Sequence, residues 1–405
     1  MQYESKSRII CLEGLRGLAT LMVIFTHIQH FFFPEALLQL KTLFSVLPMP
    51  LSFLAETFFK AFFKGGFAVT TFWVLSGFVL SYRYFLLLPS TFSNAQQYLV
   101  VAAIKRYFRL VVPVLLTVML SLLLIKANLM FNKSLAQHYL AVHSTWQEYA
   151  QWIGGFYSFE SSFLNALKSA LWDTFVDYER SSSYNVVLWT MEKEFFGSMF
   201  LFAFLFFSGW LSNSKWIWVF TILLLTWFRL HWISAFLIGA LLCNCYCLFR
   251  ARASTVIFAR LEPVLILLKN PFICASCLLV LWVLVGLPNY FGVTHLLIAI
   301  PLVALSLFSP PLTQWLSARP LLFLGKISFG LYLGHFLVIT SLSCYLYLIM
   351  IKHWSSLIVA TIVLVLTLIF SLPLGWLIYR LGDITGKLLA RIISQRIYRN
   401  IDRTS

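Results

Sequence analysis

The chain alternates long apolar runs with short polar, often basic, joints, and the runs are long enough to cross about 30 Å of hydrocarbon as helices. Ten runs stand out: 12–33, 66–88, 108–126, 186–208, 214–230, 232–249, 272–288, 293–309, 321–349 and 356–379. The pairs 214–230/232–249 and 272–288/293–309 are joined so tightly that their borders are the least defined. The pattern predicts an all-α polytopic membrane protein, with about ten transmembrane helices in one bundle and residues 1–405 in a single membrane-embedded domain. We find no internal repeat or low-complexity linker. No N-terminal stretch has the short apolar core and small-residue cleavage site of a signal peptide.

Composition agrees with this reading. The chain is 60% hydrophobic, 18% aromatic and only 11% charged, too little polar surface for a soluble protein of 405 residues. The formal charge of +16 is unevenly distributed. With the N-terminus inside, the inner joints hold Lys6, Arg8, Arg16, Arg83, Lys105, Arg106, Arg109, Lys215, Arg250, Arg252, Arg260, Lys269, Arg319 and Lys326. A basic tail, 380–405, adds Arg380, Lys387, Arg391, Arg396, Arg399 and Arg403, giving twenty of the 30 Lys and Arg residues. That asymmetry predicts cytoplasmic N- and C-termini, and it makes the charge an insertion signal and a lipid contact rather than a nucleic-acid footprint. Cys243, Cys245 and Cys247 at the end of one run, with Cys274 and Cys277 at the start of the next, lack the arrangement of a zinc site; they read as unpaired thiols, with palmitoylation the alternative.

Two runs carry ionisable residues that hydrocarbon penalises. In "LEGLRGLATLMVIFTHIQHFFF" (12–33), Arg16 and His27 are eleven residues apart, which places them on one helical face roughly 16 Å apart along the axis. Such a face lines a cavity or meets polar partners; the alternative is an arginine snorkelling to head groups and a histidine bonded to a backbone carbonyl. His30, one turn on, reads as an outer-boundary residue. In "NVVLWTMEKEFFGSMFLF" (185–202), Glu194 falls about nine residues, roughly 13 Å, from the outer surface, a depth comparable to that expected for His27. The two are therefore expected to share a buried site. Glu192 points to a different face and, with Lys193, reads as interfacial.

These blocks carry a family resemblance. "LEGLRGLA" with Arg16, ten residues, then His27 resembles the first-span motif of the acyltransferase type 3 family, the multi-span membrane O-acyltransferases of glycans and lipids. "GGFAVTTFWVLSGFVLSYRY" (65–84) is similar to its second-span signature, with Ser76, Gly77 and Phe78 as the Ser-Gly-Phe core. "IKRYFRLVVPVLL" (104–116) resembles its basic approach to the third span, "LWTMEKEFFGS" (188–198) its tryptophan-to-glutamate motif ending on Glu194, and "GKISFGLYLGHF" (325–336) its late motif ending on His335. The blocks are in order and cover nearly the whole chain. Phe196 and Gly197 depart from the Gln-Phe-Tyr-like run of many bacterial members and resemble a subgroup found in fungi as well, which leaves organism and substrate open.

The resemblance implies acyl transfer to a hydroxyl, and the residues suit it. A neutral imidazole takes a hydroxyl proton near pH 7, so His27 is assigned as base, with Glu194 as its partner or as an acceptor ligand. Arg16, Arg83, Lys105, Arg106 and Arg109 cluster at the inner boundary, where they suit the phosphates of cytoplasmic acyl-CoA, a co-substrate rather than a tightly bound cofactor. Ser76 is expected to line the cavity, as a nucleophile or a small packing residue. Trp189 is expected to line the cavity, and His335 to line it or pin a helix. The longest non-spanning stretch, 127–185, is expected outside; Phe163, Leu167, Ala170, Leu171 and Phe175 fall on one face of an interfacial helix there. The resulting expectation is O-acetylation of a cell-envelope glycan such as lipopolysaccharide O-antigen, by a multi-pass protein of the bacterial inner membrane. Its partners are acyl-CoA, a glycan or lipid-linked acceptor and membrane lipid, with no nucleic acid and no metal. The alternatives are acylation of a lipid or small metabolite or, in a different class, a secondary transporter or flippase, against which stands the lack of paired repeats with broken helices.

Overall fold

The computed structural model describes residues 9–34, 42, 44–88, 92–208, 215–251, 262–287 and 292–404. Lys6, Arg8, Arg252 and Arg260 of the basic joints lie outside the described residues, as do the side chains of Lys215, Arg399 and Arg403. The described residues are helical almost throughout, with no strand among them. In chain order they form α1 (Ile10–Phe32), α2 (Met49–Ala61), α3 (Gly65–Leu87), α4 (Phe92–Lys126), α5 (Asn132–Val142), α6 (Gln147–Gly154) and α7 (Phe163–Lys168). Then come α8 (Trp189–Ser208), α9 (Lys215–Trp227), α10 (His231–Arg250), α11 (Pro271–Gly286), α12 (Val293–Phe308) and α13 (Pro310–Leu316). The last are α14 (Arg319–Val338), α15 (Cys344–Met350), α16 (Ser356–Ile378) and α17 (Ile384–Thr404). Wider π-turns at Ile339–Ser343 and Tyr379–Asp383 join α14 to α15 and α16 to α17.

Six of these stretches are long and apolar enough to cross a membrane: α1, α3, most of α4, α10, α14 continued through α15, and α16 continued into α17. The chain is thus an all-α integral membrane protein. The predicted ten is not reached on length and apolarity. α8 carries Glu192, Lys193 and Glu194 in its first two turns, and α9 and α11 are short. α12 and α13 count as a seventh span only as one unit bent by 91°. That bend falls at Ser309, where Pro310 and Pro311 have no N–H to continue the α12 ladder.

α1 runs through the middle of the bundle between α3 and α14, and α3 lies along α10. Apolar side chains gain nothing by leaving lipid for each other, so close backbone approach carries this packing. A Cβ added to Gly325 of α14 would lie 2.0 Å from the Glu13 carbonyl oxygen of α1, and one on Gly77 of α3 would lie 2.0 Å from that of Phe236 on α10. Gly325→Val should therefore separate α1 from α14. We expect a loss of folded, monodisperse protein on size exclusion in detergent; wild-type yield and profile would show that the contact is dispensable.

The bundle has two unlike ends. The N-terminal end of α1, with Arg16 in its second turn, marks the basic end. The C-terminal end of α1 is covered by 127–162, where Tyr139 donates to the Phe31 carbonyl at 2.7 Å and Tyr149 to that of His30; we call it the loop end. Residues 163–184 then follow α4: Ser121 donates to the Tyr184 carbonyl, and Tyr107, fourteen residues or roughly 21 Å along α4, donates to that of Leu171. A π-turn at Ser169–Asp173 shifts the register of this segment. The face expected from the sequence is split accordingly, with Ala170 and Phe175 buried against α4 and α8 while Phe163 and Leu171 remain exposed.

Candidate functional site

A cleft of about 1310 Å³, counting space open to solvent, lies among α1, α3, α4, α8, α14 and the Tyr379–Asp383 turn. Its charged lining is Arg16, Arg106, Arg109, Lys326 and Lys387 against Glu13, Glu194 and Asp383, positive on balance. Two of the cations are neutralised locally. Arg106 pairs with Glu194 and donates through Nε to Ser198 at 2.9 Å, and Lys387 pairs with Asp383 one turn earlier. Lys326 and Lys387 also lie over the Tyr379 ring, at 5.5 and 5.6 Å. Arg16 and Arg109 differ: neither makes an ion pair with a described residue, and Arg109 Nε is buried without a hydrogen-bond partner. Guanidinium groups that line a cleft without an ion pair are suited to an anion from outside the chain.

Glu194 is held from two sides, by Arg106 and by Ser76, whose hydroxyl donates to Oε1 at 2.5 Å. Ser76 lines the cleft and its hydroxyl fixes the Glu194 carboxylate, while its neighbour Gly77 does the helix packing.

His27 lies elsewhere. Its Nδ1 is 2.9 Å from the Val23 carbonyl and 3.2 Å from Nε2 of His335, and the two rings are 5.1 Å apart. His335 is fully buried, with its own Nδ1 3.2 Å from the Leu331 carbonyl. Both carbonyls demand an N–H, so each ring carries its proton on Nδ1. His335 Nε2 then accepts from His27, and His27 Nε2 is left as a lone pair with no protein partner. That is the tautomer a general base needs. Phe336 closes one side of the His27 ring, edge-on at 5.4 Å.

The expected pairing of His27 with Glu194 is not formed, and the reason is depth. Gly65, the first residue of α3, sits against Thr26, so His27 lies level with the start of α3. Ser76 is eleven residues, roughly 16 Å, further down that helix, and Glu194 is bonded to it. The comparable depth inferred from sequence assumed that the span of Glu194 starts at the membrane surface. Instead the chain enters the bundle before α8 begins: Asn185 donates to the Leu333 carbonyl at 2.8 Å, and Tyr332 donates to that of Val187 at 3.0 Å. Glu194 therefore shares a level with Arg16, and His27 shares one with His335.

Tyr332 connects the two levels. It lines the cleft, opposite Phe72 at 6.3 Å, and its ring lies 5.9 Å from that of His335.

Of the donor residues expected from sequence, Arg16, Arg106 and Arg109 line the cleft. Arg83 lies over the Tyr98 ring at 5.4 Å, and neither it nor Lys105 lines the cleft. Trp189 packs 6.3 Å from Trp73 and takes Lys193 over its ring, and is not part of the lining. Sequence reasoning placed Lys326 and Lys387 among topology determinants and passed over Glu13, Tyr332 and Asp383, which also line the cleft. The π-turn brings Asp383 in by breaking the α-helical register of α16, and no local sequence signal marks such a turn.

No curated protein and no solved structure matches the chain. The family model described as an acyltransferase domain matches residues 9–376, a stretch that contains Arg16, His27, Ser76, Arg106, Arg109, Glu194 and His335. The chain belongs to the acyltransferase type 3 family and is a membrane acyltransferase.

Proposed function

We propose that the protein transfers an acetyl group from cytoplasmic acetyl-CoA to a hydroxyl of a cell-envelope glycan, such as lipopolysaccharide O-antigen, in a bacterial inner membrane. The observation that carries this reading is the pair of stations on α1: free guanidinium groups at the level of Arg16 and a free imidazole Nε2 on His27, roughly 16 Å apart. An anionic donor with a long, thin, reactive arm would span the two, and coenzyme A has that form. Its phosphates would meet Arg16 and Arg109, and its pantetheine arm would pass Phe72 and Tyr332 to present the thioester carbonyl to His27. The acceptor hydroxyl then attacks the carbonyl carbon as His27 Nε2 takes its proton. The tetrahedral intermediate expels the coenzyme A thiolate, which recovers the proton as a thiol.

In this reading the basic end faces the cytoplasm, as the excess of Lys and Arg supports. The six spans, the bent pair α12–α13 and α8, α9 and α11 together make the ten crossings of the bundle.

The test is release of coenzyme A from acetyl-CoA by protein in nanodiscs, with and without an O-antigen polysaccharide. Glycan-dependent release supports the reading, and its absence with several envelope glycans counts against it. Arg109→Gln should raise the acetyl-CoA KM by about 10–100-fold, as expected for one lost hydrogen-bonded charge, while the glycan KM stays unchanged. The reverse pattern would move Arg109 to the acceptor side.

A further inference from the structure

Arg180, in the chain between 176 and 185 at the loop end, is held in an unusual way. Its guanidinium lies 5.6 Å from the ring centre of Trp152 and 5.4 Å from that of Phe156, both within cation–π range. It makes no ion pair or side-chain hydrogen bond with a described residue, and the neighbouring carboxylate of Glu179 is taken by the Ser181 hydroxyl. The segment carrying it is pinned by Tyr178 to the Val186 carbonyl at 2.9 Å, by Ser183 to that of Asn185, and by Asn185 to that of Leu333. The rings beneath it lead to the base. Phe156 lies 5.3 Å from Phe336, and Phe336 lies 5.4 Å from His27. His30 adds a ring 5.7 Å from Trp152.

An exposed cation held against two rings, with no described residue on its hydrogen-bond donors and at the loop end beyond the base, has the makings of an oxyanion receptor. A guanidinium against aromatic rings keeps its N–H donors for bidentate capture of a phosphate or carboxylate. We propose that Arg180 binds an oxyanion of the acceptor, so that the molecule acylated at His27 is a phosphorylated or uronic-acid-type sugar rather than a neutral one. The inference rests on the acyltransferase reading for the acceptor's role, whereas oxyanion binding beside His27 can be measured without turnover.

The experiment follows carbethoxylation of His27 by diethyl pyrocarbonate, read by peptide mass spectrometry, for the full chain in phosphatidylcholine nanodiscs. Glucose 1-phosphate, glucuronate and glucose are the added probes. Protection by glucose 1-phosphate, by glucuronate or by both, but not by glucose, is expected, and the better protector identifies the oxyanion. Arg180→Gln should raise the half-protecting concentration about 10–100-fold, the loss expected for a charge-assisted contact, while Arg180→Lys retains part of the protection. Equal protection by glucose, no protection by either anion, or undiminished protection in Arg180→Gln would overturn the proposal. So would protection by phosphatidylglycerol in the nanodisc alone, dependent on Arg180, because the oxyanion would then be a lipid headgroup. Acetyl-CoA turnover in the same nanodiscs tests the acyltransferase reading separately, and its failure leaves the protection result standing.

Discussion

His27→Ala should lower the acyl-transfer rate by roughly 10²–10⁴-fold while the protein still inserts and folds, the usual cost of losing a positioned proton acceptor. The fold should survive because His27 is only partly buried, and its hydrogen bonds are one to a carbonyl within its own helix and one to His335. His335 makes the result more specific. If its Nε2 holds the His27 proton on Nδ1, His335→Gln, which keeps a side-chain acceptor, should retain more activity than His335→Leu, which has none. Acetyl transfer in vesicles, normalised to folded protein, reads both. A well-folded His27→Ala protein with near wild-type transfer would remove the base from the mechanism. Equal activity of the two His335 variants would remove the tautomer argument and leave His335 as packing.

The second large effect is expected at Glu194, for a reason that the structure changes. Glu194 does not support an imidazolium on His27; it neutralises Arg106, and both side chains are nearly nine-tenths buried. Removing one partner of a buried ion pair costs about 3–5 kcal/mol, because the other charge stays behind without compensation. Glu194→Gln should therefore lower the thermal stability of the detergent-solubilised protein and its activity together. Combining it with Arg106→Met should recover much of the stability, since both charges are then gone, without restoring transfer if the cleft needs its cations. Should the pair act only through hydrogen bonds, Gln still offers Ser76 and Arg106 a carbonyl oxygen, and the single variant would work. Activity within about threefold of wild type, under ~1 kcal/mol in barrier terms, together with unchanged stability, would show that the charge of Glu194 is not needed.

Both predictions depend on where the ionisable residues lie along their helices, and here sequence and tertiary structure contribute differently. Apolar runs of membrane-crossing length, set against so few charges, were enough to identify a helical membrane protein, because lipid leaves the backbone no other way to satisfy its hydrogen bonds when no strand pattern is present. Helical periodicity was likewise enough to place Arg16 and His27 on one face about 16 Å apart, since that follows from rise and turn alone. The ordered motifs around them pointed to the family that the chain belongs to. Partnership was not legible in the same way. Glu194 was matched to His27 by counting from a presumed membrane surface, but α8 starts inside the bundle, held there by Asn185 on Leu333 and Tyr332 on Val187, contacts 148 and 145 residues apart in the chain. Asp383 and Lys387 enter the cleft because a π-turn rotates the end of α16, and Arg180 reaches the neighbourhood of His27 because the loop end folds down onto α1 and α14. Rise per residue is a local property of the chain, so it can be read from the sequence. The depth at which one helix meets another is set by side-chain contacts between distant segments, and only the folded structure decides it.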